Sequence, residues 1–202
     1  MRNNNLWAIS LKTMMMSAFA SIISFMLNCL IVIMASNAFS VNGDAVAVRI
    51  FMQFVGLGVQ LIFIYGVIWE CANQDQHLVR VGEKHYSKYR GFLIGLIAAI
   101  PYYLMAIAMM LMSFDVIPDI TGLLRACSSQ FWGIYTFLLP VETTYIEQGT
   151  SGHIAESIAT PAQAIAAVFV PTIIPLLAQF PYAMGRSGFS FGEKLVLKGN
   201  KK

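Results

Sequence analysis

The chain has 202 residues, of which 57% are apolar and 11% charged, with a net charge of +3. An ordinary soluble domain carries roughly 25% charged residues, so the polar surface that water demands is missing and a soluble globular fold is excluded. Its basic residues flank apolar segments instead of forming a stripe interleaved with aromatics, which argues against nucleic acid as a partner.

The first long uncharged stretch is Met14–Ser36. Ile50–Trp69, Phe92–Phe114 and Ala162–Met184 follow. Each approaches or exceeds the ~20 residues with which a helix crosses a ~30 Å hydrocarbon layer. Unpaired backbone amides cannot face lipid, and the polar/apolar alternation of a barrel strand is not visible. These runs therefore predict an all-α integral membrane protein, a single polytopic domain with spans at 14–36, 50–69, 92–114 and 162–184. Arg2 and Lys12 before the first run and Ser36-Asn37-Ala38 after it resemble a secretory signal. The apolar region far exceeds the roughly 7–15 residues of a signal core, so it is read as a retained helix.

A further apolar piece, Leu123–Val141, decides the threading. Cytoplasmic loops carry an excess of Lys and Arg. That rule places Arg2, Lys12 and the 70–91 loop with Arg80, Lys84, Lys88 and Arg90 inside. If 123–141 spans, the Glu142–Glu156 loop without Lys or Arg falls inside and the basic tail 185–202 falls outside, which reverses the rule. If it dips and returns, or lies on the outer surface, 11 of the 13 Lys/Arg are inside, all but Arg49 and Arg125. Arg125, Ser128, Ser129 and Gln130 also make its first third polar, and short apolar cores are more often re-entrant or interfacial than spanning. The reading is four crossings plus one re-entrant or interfacial helix, with five spanning helices as the alternative. It places the protein in the plasma membrane with both termini cytoplasmic and the lipid bilayer as its first partner.

Each span carries a stripe of small or polar residues at helical spacing. Ser17, Ser21, Ser24 and Asn28 share one face, as do Gln53, Gly56 and Gln60. Gly91, Gly95, Ala98 and Tyr102 mark the third span, and Gln163, Ala167 and Val170 the last. Such stripes let membrane helices approach closely and bond across the interface. They are read first as packing surfaces and, alternatively, as a polar interior made of Asn28, Gln53, Gln60, Tyr102 and Gln163. No ionisable residue sits at mid-span, which argues against proton- or ion-coupled transport. Pro171 and Pro175 lie inside the last run and mark a candidate helix break. Broken helices of this kind occur at transporter sites.

Catalytic signatures are missing: there is no HExxH, no GxSxG and no phosphate-cradling loop. Cys29, Cys71 and Cys127 are scattered without a CxxC pair, so no disulfide framework, zinc site or cofactor is expected. Glu142, Glu147, His153 and Glu156 share the outer loop and are read as a solvated acidic surface ahead of a metal site. Arg80, Lys84, Lys88 and Arg90 are candidate contacts to anionic lipid at the inner surface, with Glu70 close enough in sequence to pair with Arg90. The leading functional expectation is a non-enzymatic accessory, scaffold or immunity-type subunit acting by helix association, as a homo-oligomer or with another membrane protein. A small permease or channel for an uncharged or weakly charged solute is the alternative, and a membrane enzyme the third.

Overall fold

A computed structural model describes residues 5–39, 46–82, 87–114, 116–118, 120–145, 153–157 and 159–187. The first two helices, α1 (Leu6–Phe39) and α2 (Val46–Arg80), outrun the apolar segments at both ends. Helix formation needs paired main-chain groups, not hydrophobicity, and polar side chains continue it. Glu70 and Gln74 bond one turn apart at 3.2 Å in the part of α2 expected to be loop. Near the start of α1, Ser10 and Thr13 each donate to the carbonyl four residues back at 2.9 Å.

Burial along α1 is inverted relative to a soluble helix. Ser10, Thr13, Ser17, Ser21, Ser24 and Asn28 are buried, whereas Trp7, Leu11, Met15, Phe19, Ile22, Met26 and Ile33 are exposed. A side covered in large apolar groups is stable only against lipid or another apolar surface.

The third apolar run is broken. Helices α3 (Arg90–Ala98) and α4 (Ile100–Ser113) meet at Ala99 with a 49° bend. Pro101 explains this: it has no N–H to offer the carbonyl of Ile97, and its ring clashes there, yet it is tolerated in the first turn of α4. The last run is also interrupted, by a 3₁₀ turn at Val170–Thr172 between α7 (Pro161–Val168) and α8 (Ile173–Arg186). Pro171 lies in that turn, while Pro175 occupies the first turn of α8, where a missing N–H is harmless. Three helices are long and apolar enough to cross a membrane, or four if α3 and α4 form one bent span.

Segment 123–141 is not one helix. It comprises α5 (Thr121–Cys127), a 3₁₀ turn at Ser129–Phe131 and α6 (Trp132–Leu138). Each seven-residue piece is only about 10 Å long at ~1.5 Å per residue. Strands β1 (Val141–Tyr145) and β2 (His153–Ser157) then pair antiparallel, Val141 opposite Ser157 and Tyr145 opposite His153. The described residues are otherwise helical, and this short hairpin, formed by the pairing of two five-residue segments that include Val141, Thr143, Thr144 and Tyr145, is the one extended element among them.

The contacts gather into two compact units. One takes residues 1–17, 61–99 and 172–202. Its core joins Ile64, Ile68, Cys71 and Ala72 of α2 to Ile94 of α3 and Ala178 and Tyr182 of α8. A Cβ on Gly91 would come within 2.5 Å of Tyr182 Cβ, and one on Gly95 within 2.5 Å of Pro175 Cα, so this pair of glycines sets the α3–α8 approach. The other unit takes residues 18–60 and 100–171, with α4 packed on α7 and α5, and α6 on α7. Both broken helices break where the chain passes from one unit to the other, while α1 and α2 pass through without interruption.

Candidate buried polar site

The second unit is organised around the 3₁₀ turn of the 121–138 segment. Three consecutive polar residues, Ser128, Ser129 and Gln130, interrupt its helix, because such side chains compete for nearby backbone groups. Ser128 bonds the carbonyl of Leu124 at 2.7 Å and leaves the helical region at φ −115°, ψ 35°. The other two reach across to the spanning helices.

Gln130 is the hub. Ser21 Oγ donates to Gln130 Oε1 at 2.5 Å and stands 3.0 Å from the Tyr102 hydroxyl, which is left to act as the donor to Ser21. Ser129 Oγ donates to the Ser21 carbonyl, and Asn28 Nδ2 donates to the Ser129 carbonyl at 3.0 Å. From α2, Gln53 donates through Nε2 to the Gln130 carbonyl at 3.2 Å and accepts the Ile134 N–H through Oε1 at 3.0 Å. Two glycines admit the turn: a Cβ on Gly56 would sit 2.7 Å from the Gln130 carbonyl oxygen, and one on Gly133 2.5 Å from that of Arg49. Phe131 is wedged edge-on between Tyr102 and Tyr135, with centroid distances of 6.2 and 6.1 Å. The guanidinium of Arg125 is held by the carbonyl of Leu139, the residue that caps α6.

This network does not satisfy every group it buries. Ser24 Oγ, Asn28 Oδ1, Gln130 Nε2 and Tyr135 OH have no hydrogen-bond partner, in side chains that are 0 to 2% exposed. A buried polar group left in that state costs about 1–3 kcal/mol, so these atoms call for water or a small polar occupant.

Of the residues expected to line a polar interior, Asn28, Gln53 and Tyr102 are brought together at this turn. Gln60 is fully buried in the same unit, one helical turn past Gly56. Gln163 is elsewhere: it closes a capping box with Thr160 at the start of α7, its Oε1 accepting the Thr160 N–H at 2.9 Å. Sequence reasoning took Ser129 and Gln130 only as signs that the segment is too polar to span. The same run of polar residues inside an apolar segment was the available signal for the hub.

A second polar cluster lies in the first unit. Arg90 donates to Asp75 Oδ1 at 2.6 Å, with both side chains 8% exposed. The Tyr182 hydroxyl donates to Asp75 Oδ2 at 3.0 Å. Gln179 fastens the start of α3, donating to the Lys88 carbonyl at 3.1 Å and accepting the Phe92 N–H at 2.9 Å. Arg90 is thus inside the protein, apart from the exposed Arg80 and Lys88 with which it was grouped as a lipid contact. Lys88 stands 5.9 Å over the ring of Tyr89. Lys84 and the tail beyond Ser187 lie outside the described residues, as do the side chains of Glu142, Glu147, His153 and Glu156. Among the described residues no group of His, Cys, Asp and Glu is placed to hold a metal.

Fold and site together define a helical protein with three or four apolar helices of membrane-spanning length, a buried network of neutral polar side chains around Gln130 and a separate buried ion pair. Comparison with protein-family models, curated proteins and solved structures finds no match to this chain.

Proposed function

We propose that this is a multi-pass plasma-membrane protein with four crossings, segment 121–138 entering from the outer face as a re-entrant element, and both termini cytoplasmic. Its role in this reading is that of a small permease or channel for an uncharged solute. One observation carries the functional part: the polar residues of α1 and α2 converge on a broken segment and leave four buried polar atoms unpaired. The helix-association reading drew on the same small and polar residues, and these are engaged within the chain itself, which weakens its support. Interrupted helices around the midpoint of a membrane protein are the usual setting of a solute site, where irregular backbone is tolerated because it lines a polar interior.

The threading is tested by a reporter fused after Lys202 that is active only in the cytoplasm. Full activity is the expected result, and activity of a periplasmic or lumenal reporter at that position would require an odd number of crossings. The conduit is tested by efflux of small neutral solutes from proteoliposomes. Gln130→Leu is expected to slow efflux by about tenfold, the factor that ~1.4 kcal/mol represents. Gln60→Leu should slow it less, as that residue is a helical turn removed from the hub. Flux no faster than from protein-free liposomes would sink the reading.

The accessory-subunit reading retains one specific observation. Ile31, Met34 and Ala35 of α1 and Ala47, Val48 and Phe51 of α2 line an apolar groove of about 290 Å³, a shape that suits a side chain from a neighbouring helix. Co-purification of another membrane protein, lost on Ala35→Trp, would favour it.

A further inference from the structure

Resting on the reading of the buried site as a solute site, we infer that its occupant is a small carboxamide or urea-type molecule, held at the level of Ser24 between α1 and Gln130. The position follows from the anchors. Segment 129–130 is tied to α1 at two points, through Gln130 Oε1 to Ser21 and through the Ser129 carbonyl to Asn28. Ser24 lies between those points on the same face, three residues after Ser21 and four before Asn28. It is fully buried and its hydroxyl meets no protein group.

The chemistry follows from which atoms are unpaired. Asn28 has its N–H bonded and its carbonyl oxygen open, whereas Gln130 has its carbonyl oxygen bonded and its Nε2 open. The open atoms thus comprise one amide acceptor, one amide donor and one hydroxyl that can take either part. A molecule that carries an N–H and a carbonyl on adjacent atoms complements this set, as one amide pairs with another. An alcohol meets it less fully, and a hydrocarbon leaves all three atoms unsatisfied. The side chains that make the hydrogen bonds described around Gln130 are all neutral, which favours an uncharged occupant. An ion there would be desolvated without compensation.

The unpaired state of Ser24 also supplies the decisive variant. Ser24→Ala removes a hydroxyl that bonds nothing in the protein, so a purely structural role predicts equal or higher stability and no further consequence. The experiment uses the full chain in lipid nanodiscs, with acetamide binding read by saturation-transfer NMR and thermal stability measured in parallel. Acetate is the charged isostere and glycerol the alcohol control.

Expected are saturable acetamide binding, no acetate binding, weaker glycerol binding, and at least a several-fold weaker acetamide affinity in Ser24→Ala at undiminished thermal stability. Gln130→Met, which keeps the volume and removes the donor, should abolish binding. Absence of acetamide and urea binding would overturn the inference, as would affinity unchanged in Ser24→Ala and Gln130→Met, or preferential binding of acetate. Fast osmotic water flux without acetamide binding would also overturn it, by assigning the site to water. Acetamide binding without acetamide flux would uphold the site and reject the conduit.

Discussion

Asp75→Ala is expected to destabilise the protein by about 3–5 kcal/mol, the usual consequence of removing one partner of a buried ion pair. Arg90 and Asp75 are 2.6 Å apart with side chains 8% exposed. Loss of the carboxylate removes the ion pair from a guanidinium buried in the first unit and the nearer of the two acceptors of the Tyr182 hydroxyl, the other being the Ser87 carbonyl at 3.4 Å. The effect extends beyond one pair, because Asp75 joins the end of α2 to the start of α3 and to α8. Unfolding in mixed micelles, followed by far-UV circular dichroism, measures the change. Replacing both partners with apolar residues, Asp75→Leu with Arg90→Met, should restore a large part of the loss. If Asp75→Ala unfolds at the wild-type denaturant concentration, the pair does not hold these elements together.

Gly56→Val is expected to have the second large effect, and of a different kind. A Cβ at this position would meet the Gln130 carbonyl oxygen at 2.7 Å and its Cα at 2.9 Å. These are backbone atoms and cannot swing aside as the end of a side chain can. Overpacking of this kind costs about 1–3 kcal/mol, and relief requires the 3₁₀ turn to move away from α2. Solute flux and acetamide binding should therefore fall together with stability. Gly58→Ala, two residues along the same helix, is the control: nothing lies within 4 Å of its Cβ position. There the change should be neutral or stabilising by up to ~1 kcal/mol, the helix-propensity difference between the two residues. Equal behaviour of the two variants in flux and unfolding would show that the turn does not rest on Gly56.

The two variants also separate the units. Asp75→Ala disturbs the cluster made by Asp75, Arg90 and Tyr182, whereas Gly56→Val acts at the turn around Gln130.

Much of this was legible in the chain because long apolar helices leave a coarse, one-dimensional trace. The long apolar runs, the polar face of α1 and the GxxxG at Gly91 and Gly95 each follow from helical periodicity alone. Segment 123–141 was also legible as abnormal, since Arg125 to Gln130 is too polar for an ordinary span. The break at Ala99 had a signal in Pro101 that hydropathy hides, because a run of apolar residues reads the same whether straight or bent. The hairpin at 141–157 depended on the pairing of two short strands across a loop, a non-local event with weak local propensity.

What the sequence determined by itself is a set of long apolar helices. Composition, run length and the polar stripe along α1 mark helices that suit an apolar environment, because hydrophobic area is additive along a helix and does not depend on which neighbour covers it. Only the tertiary structure decided which polar atoms are paired. It moved Arg90 from a presumed surface cluster to a buried bond with Asp75, set Gln163 to capping a helix, and made Gln130 the centre of the interior. Hydrogen bonds are short and directional, so their partners depend on how residues distant in sequence, such as Ser21 and Gln130, are brought within 3 Å of each other.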